Sequence, residues 1–389
     1  MKHIIIVMPT LRMGGAEKAL VSLLKSLDPE RVAVDLFLFE TGGVLQKEVP
    51  SWVSIIGADP IVRDMTLEMR NYFGELIRQK KFSAALARLK ITFQARQGKH
   101  SFSWDTIKKF IPNVEGNYDV AIGFLEGFAD FFVIDKINAD KKIGWIHIDM
   151  TGRDFAPQEC EYYKKFDIIV TISAICKEAF TEILPELKDK IQILENIVLT
   201  NDIISKSEEK ANTFWESSKL HLVSVGRLDY QKGFDLGAKA AKVLKEKGYD
   251  FCWHIYGIGI MEKEIEQYVE ENQLGKYFIL EGLCENPYPY MKRADIIVQP
   301  SRWEGKSLVL DEAKILGKAI VVTDYPSVSD QIVDGKTGII TEIIPESIAK
   351  GIESLIQSKT LRGVLEMNCR SEANRSYQMT DRLYTMIDA

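Results

Sequence analysis

Cysteine is scarce in this chain of 389 residues. There are five, Cys160, Cys176, Cys252, Cys284 and Cys369, and no two stand in C-x-x-C spacing. An odd, scattered set excludes a disulfide framework and a zinc knuckle and fits a reduced, cytosolic chain. The five histidines form no H-E-x-x-H, and no D-x-D occurs anywhere. Long apolar runs are missing too: nothing approaches the ~18–20 residues that span a bilayer. Lys2 precedes an apolar stretch, but it covers only Ile4 to Met8 before Pro9, with no small-residue cleavage site. It reads as a first buried strand rather than a signal peptide. Positive charge is not in excess, with 50 Lys and Arg against 56 Asp and Glu, a net of −6. That balance argues against a dedicated nucleic-acid binder.

What is present is ordinary globular material, 46% hydrophobic and 27% charged, long enough for two or three domains. Short β-branched runs alternate with helix-like segments. HIIIVMP, VDLFLFE, DVAIGF, KIGWIHI, DIIVTIS and IQILENI come first, then LHLVSVG, FCWHIYG, KYFILEG, DIIVQPS and AIVVTDY. Continuous apolar strands separated by helices predict parallel sheets covered on both faces, hence a doubly wound α/β architecture. The polar stretch around 197–219 lacks a strand run and separates two halves of similar size. We therefore expect a first domain over 1–198 and a second over 199–365. A helix over 366–389, with Leu365, Met367, Tyr377, Met379, Leu383, Tyr384 and Met386 as apolar positions, is expected to pack back toward the first.

One segment breaks the alternation. Residues 61–110 carry eleven Lys and Arg and four acids, a local +7 that leaves −13 for the rest. Phe73, Leu76, Ile77, Phe82, Leu86, Leu89 and Phe93 recur at roughly helical spacing. A basic amphipathic helix of this kind can lie on an anionic membrane, or pack on its own domain with its charges in solvent. On the first reading Lys80, Lys81, Arg88 and Lys90 mark an acceptor or membrane side.

Two stretches carry chemistry. In VGRLDYQKGFD, residues 225–235, a buried strand ends, Gly226 frees the backbone, and Arg227 and Lys232 precede a helix opening at Gly233. Two cations beside a helix start at the C-terminal edge of a parallel sheet make a diphosphate site. In QPSRWEGKSLVLDEAKILGKAIVVTDYPSVSDQI, residues 299–332, a loop with Trp303, Glu304 and Gly305 leads into a helix beginning near Ser307. The amides of Lys306, Ser307 and Leu308 point from its N-terminus and favour a phosphate. Glu304 before the helix and Glu312 two turns inside it suit hydroxyl groups, since a carboxylate accepts several hydrogen bonds. The milder alternatives are a capping box between Ser301 and Glu304 and a solvated Glu312.

Gly14-Gly15-Ala16-Glu17 after the first strand, the Gly226/Arg227/Lys232/Gly233 stretch and Glu304-x7-Glu312, in that order, resemble the family 4 glycosyltransferases of bacterial surface-polysaccharide synthesis. The resemblance implies a GT-B fold, two Rossmann-like doubly wound parallel-sheet domains facing a cleft. It implies a retaining transfer of a hexose or N-acetylhexosamine from a nucleotide-diphosphate sugar, UDP favoured, to a lipid-linked or growing cell-surface glycan. Arg227 and Lys232 would neutralise the diphosphate, amides of Ser307 and Leu308 would hold its oxygens, and Glu304 and Glu312 would bind sugar and ribose hydroxyls. Leu283 and Cys284 would flank the base, and Gly14 and Gly15 would approach the phosphate. Ser173 and Asn196 match polar positions of the first domain, and His147 matches a histidine near the sugar's anomeric carbon. No cofactor, metal or nucleic acid is expected, and the implied location is cytoplasmic, peripheral at the inner face of the membrane.

The chain departs from the family in two places. Lys306-Ser307 follows Glu304-Gly305 where the family often has Phe-Gly, which adds a cation beside the sugar site. Asn196-Ile197 replaces the usual Asn-Gly. Competing readings are weaker. A dehydrogenase would need more than Gly257-Ile258-Gly259, whose third glycine position holds Glu262. A noncatalytic GT-B scaffold would not need Arg227, Lys232, Glu304 and Glu312 together. A soluble GT-B epimerase or synthase leaves the basic segment without a role.

Overall fold

The computed structural model describes residues 1–67, 69–96, 103–150, 155–211, 215–216, 218–372 and 377–388. Two compact units emerge, Met1–Ile197 with Tyr377–Ala389, and Val198–Ser376.

The first unit is built on β1 (Lys2–Met8), β2 (Val32–Leu38), β3 (Ser54–Gly57), β4 (Tyr118–Gly123), β5 (Ala139–Ile146), β6 (Ile168–Thr171) and β7 (Ile191–Ile193), all parallel, in the order β3-β2-β1-β4-β5-β6-β7. The second carries β8 (Leu220–Val225), β9 (Phe251–Tyr256), β10 (Phe278–Gly282), β11 (Ile296–Gln299), β12 (Ala319–Thr323) and β13 (Ile339–Thr341), parallel, in the order β10-β9-β8-β11-β12-β13. Every strand read from an apolar run is present. The two that were not foreseen, β3 and β13, are edge strands of four and three residues, β3 mostly exposed and β13 only partly buried, too short for a continuous apolar run. Each sheet is the doubly wound GT-B half expected from the sequence. Strand order reverses between β1 and β4 and between β8 and β11, and ligands bind outside the strand ends at such points.

The central strands are fully buried, as sheets covered on both faces require. In the second unit the Trp253 indole donates to Ser224 Oγ at 2.8 Å, and Ser224 donates to the Val298 carbonyl at 2.5 Å. The core thus ties β8, β9 and β11 together.

Beyond 358 the described residues carry helices over Lys359–Glu372 and Tyr377–Asp388. Lys359–Glu372 belongs to the second unit, while Tyr377–Asp388 belongs to the first. Met367 is exposed, whereas Leu383, Tyr384, Met386 and Ile387 are buried. Tyr384 Oη accepts from the Asp28 amide at 2.6 Å, and Arg31 lies over its ring at 3.6 Å.

Among its described residues the basic segment forms helices over Pro60–Thr66, Met69–Arg78, Phe82–Arg96 and Trp104–Ile107. Its apolar positions part company. Leu76 is buried and Phe73 packs on the core, while Phe82, Leu86, Leu89 and Phe93 are 43–67% exposed. At spacings of four, three and four these last lie on one face of one helix. Arg88 corrects the sequence reading. It is buried, on the inward side, and donates to the Leu67 carbonyl. The side chains of Arg70, Arg96 and Lys99 lie outside the described residues. Among the described residues no helix is long and apolar enough to cross a membrane.

Candidate functional site

At the β8/β11 switch point two loops close on each other. The first, 226–233, leaves β8 with the Gly226 amide donating to the Tyr256 carbonyl at 3.0 Å. Asp229 folds it: its Oδ1 accepts from the Lys232 amide at 3.1 Å, and its Oδ2 lies 3.5 Å from Arg227 Nε. Gly233 then opens helix Phe234–Glu246 at φ +66°, where a Cβ would stand 2.0 Å from the Pro300 carbonyl oxygen. Only glycine fits that approach. The second loop, 300–307, is locked to the first by Arg302, whose guanidinium forks onto Asp235 at 2.8 and 2.7 Å and lies over the Tyr230 ring.

This clamp brings Lys232 and Glu304 together. Lys232 Nζ is 2.6 Å from Glu304 Oε1, and the stem of Lys232 passes over Gly226. Glu304 Oε1 also accepts from Ser301 Oγ at 2.7 Å and Gln299 Nε2 at 3.0 Å. Ser301 therefore holds the Glu304 side chain directly, not as a capping box. The Glu304 carbonyl accepts from Ser327 Oγ at 2.7 Å. Both ends of Glu304 are fixed, so its carboxylate is aimed before any ligand arrives. Arg227, by contrast, is mostly exposed, with only the Asp229 carboxylate beside it.

Glu312 is buried in helix Leu308–Ile315, where its Oε1 accepts from the Tyr288 hydroxyl at 2.9 Å. It is not a solvated helix residue. The Ser307 amide donates to Gln331 Oε1, and Gln331 Nε2 returns a bond to the Ser307 carbonyl, both at 2.8 Å. That amide is already engaged, and Leu308 supplies the next one along the helix start. The Ser307 hydroxyl is buried and has no partner among the described residues. Leu283 is exposed and Cys284 partly buried just beyond β10, where Gly282 turns at φ +75°. Gln299 and Gln331 escaped the sequence reading. Gln331 lies 24 positions beyond the backbone it holds, and only the fold reveals that bond.

The remaining candidates belong to the first unit. Gly14 and Gly15 open helix Gly15–Ser26 after β1. His147 follows β5, its amide donating to Glu126 Oε2 at 2.9 Å. Its ring lies parallel to Trp145 and against Phe124, and neither ring nitrogen has a partner among the described residues. Burial pushes its pKa down to about 3, so it is neutral at physiological pH. A neutral imidazole offers one donor and one acceptor. Ser173 caps helix Ala174–Ile183 by accepting from the Cys176 amide at 3.2 Å. Asn196 Oδ1 is buried and has no partner among the described residues.

Residues 205–372 match the family described as Glycosyl transferases group 1. An uncharacterized glycosyltransferase of Methanocaldococcus jannaschii is 31% identical over 264 residues, 62% of this chain and 66% of that protein. The N-acetylgalactosamine-N,N'-diacetylbacillosaminyl-diphospho-undecaprenol 4-alpha-N-acetylgalactosaminyltransferase of Campylobacter jejuni is 28% identical over 213 residues, 54% of this chain and 56% of that one. The chain thus spans between about half and two thirds of these curated relatives. A crystal structure of an S. aureus TarM mutant with fondaparinux, alpha-GlcNAc-glycerol and UDP aligns over 100% of both chains, at TM-score 0.72 and 15% identity. At that identity the likeness is one of fold. The protein has two doubly wound units of the GT-B fold, and the second carries the stretch that matches the group 1 glycosyl transferases.

Proposed function

We propose that this protein is a retaining glycosyltransferase that moves a hexose or N-acetylhexosamine from a nucleotide-diphosphate sugar, UDP favoured, to a lipid-linked or growing surface glycan. The observation that supports this reading most is the Lys232–Glu304 contact at the β8/β11 switch point. It sets a cation for phosphate beside a carboxylate for sugar hydroxyls. Arg227 and Lys232 supply the neutralisation that a divalent ion supplies in other transferases. The Leu308 amide and the Ser307 hydroxyl add donors at a helix start, where a phosphate is favoured. Glu312 takes the ribose hydroxyls, and Leu283 and Cys284 flank the base. Gly305 and Lys306 border the sugar.

In the reaction the bond from the anomeric carbon to the diphosphate oxygen breaks, and its electron pair stays with the diphosphate. The acceptor oxygen bonds to that carbon from the same face and gives its proton to the departing phosphate. Preorganised cations and donors stabilise the charge that develops there. His147 is assigned to a substrate hydroxyl as a neutral hydrogen-bonding group.

An acceptor anchored in lipid gives the basic segment a role. The exposed stripe Phe82, Leu86, Leu89 and Phe93 enters the acyl boundary of an anionic leaflet, with Lys80, Lys81 and Lys90 at its headgroups. Arg88 is not part of this surface. The relatives that act on undecaprenol-linked sugars or bind UDP support the choice of acceptor and donor.

The test is incubation of the full chain with UDP-, GDP- and ADP-sugars, following nucleotide release. Turnover of one donor, lost in Glu304→Ala, supports the reading. An intact, folded chain that neither binds nor turns over any of them rules it out.

A further inference from the structure

At the other ends of β8 and β9, away from the proposed donor site, three metal-binding side chains converge. The parallel register sets His221 beside Cys252 and Val223 beside His254. His221 Nδ1 is 3.1 Å from His254 Nε2, and with Cys252 Sγ these atoms lie within 4.8 Å of one another. The outer ring nitrogens are engaged as well. His221 Nε2 is 2.8 Å from the Glu216 carbonyl oxygen, and His254 Nδ1 is 2.7 Å from Glu281 Oε1. The Trp215 indole lies nearly parallel to both imidazoles, at 4.6 and 4.5 Å.

Counting protons shows what this arrangement wants. A carbonyl and a carboxylate only accept, so both outer nitrogens must carry hydrogen. A neutral imidazole has one N–H to give. Two neutral rings therefore turn bare lone pairs on each other across 3.1 Å, which is repulsive. One cation between them removes the repulsion, and it is either an extra proton or a metal ion. Both rings are buried, where an added charge without a ligand shell is costly. That opposes the proton. A metal ion needs the inward lone pairs, and it needs the outer N–H groups held by a carboxylate or carbonyl, as they are here.

We propose that His221, Cys252 and His254 bind one zinc-class divalent cation, which fastens β8 to β9 and to the Trp215–Glu216 segment. Two imidazoles and a thiolate suit zinc and its soft neighbours and not magnesium or calcium. On binding, the Cys252 thiol leaves the Lys276 carbonyl, which it now faces at 3.5 Å, and releases its proton to solvent as the sulfur–metal bond forms. The site is structural and independent of the transferase reading. It lies three to five residues down the strands from Gly226 and Gly257, about 10–16 Å at the usual rise.

The full chain, stripped with chelator, is titrated with Zn2+ by calorimetry and with Co2+ by absorption. A single equivalent binds, Co2+ gives a thiolate charge-transfer band, and the melting temperature rises with metal. His254→Gln and His221→Gln weaken binding ~100-fold, and Cys252→Ser removes the band. His3→Gln changes nothing. X-ray absorption of the zinc-loaded wild type, which needs no variant, gives one sulfur and two nitrogen neighbours. Failure of the folded wild type to take up zinc overturns the proposal. So does a shell of nitrogen and oxygen alone, or uptake unchanged in the histidine variants.

Discussion

Lys232 and Glu304 come from different strand ends, 72 positions apart, and meet at 2.6 Å with Glu304 only 7% exposed. Removing the cation leaves a buried carboxylate with only neutral donors, a more costly change than neutralising the acid. Lys232→Ala is therefore expected to cost about 3 kcal/mol of stability. Glu304→Gln is expected to cost less, because a neutral amide still accepts from Ser301. Both lose transfer activity. Urea melts beside donor-turnover assays check this, and equal stability loss in the two variants counts against the pairing.

The loops that make this meeting depend on two glycines. Gly233 and Gly257 stand at φ +66° and +157°, and an added Cβ would lie 2.0 and 1.8 Å from backbone oxygens. Gly248 has φ +82° but open space. Alanine at Gly248 is expected to cost about 1 kcal/mol, while alanine at Gly233 or Gly257 costs more and also weakens donor binding. Thermal melts of the three variants settle the order. Equal losses would mean that backbone angle alone, not close approach, selects glycine.

His147 makes stability depend on pH. Its folded pKa of about 3 lies below the ordinary value of 6.5. Between those values the unfolded chain holds more protons, so stability rises with pH. The contribution is fully present above about pH 6.5 and is lost as pH falls toward 3. At pH 5 the loss relative to pH 7 is about 2 kcal/mol. His147→Phe keeps an aromatic ring against Phe124 and Trp145 and removes that loss, while His221, shifted the same way, leaves a residual slope. Denaturant melts at pH 7 and pH 5 compare the two proteins, and identical slopes contradict a buried neutral His147.

The proposed membrane association rests on the exposed stripe and its lysines. Replacing Phe82 and Leu86 by serine, or Lys80, Lys81 and Lys90 by glutamate, is expected to reduce flotation with anionic liposomes several-fold and leave folding intact. Arg88→Glu instead unfolds the segment, because Arg88 is buried against the Leu67 carbonyl. Flotation unchanged in both surface variants removes the membrane role.

How legible each part was follows from where its partners lie in the chain. Strands β1, β2 and β4–β12 announce themselves as apolar runs, the central ones because both faces are buried. Glu304 and Lys232 could be placed because glycines and strand ends mark their loops. Gln331 against Ser307 could not, since its partner is distant in sequence and glutamine there looks like any surface residue. Arg88 misled because helical spacing tells which residues share a face but not which face turns inward. His221, Cys252 and His254 were invisible to motif spacing, because strand register rather than a short loop assembles them.

Binding of the nucleotide diphosphate tests the central assignment most directly. Calorimetry with UDP on the folded chain, beside Lys232→Ala and Gly248→Ala shown to be folded by circular dichroism, isolates the 226–233 and 300–307 loops. The account predicts binding to the wild type, retention in Gly248→Ala, and at least a ~10-fold loss in Lys232→Ala. Affinity for UDP that is the same in Lys232→Ala as in the wild type would contradict it.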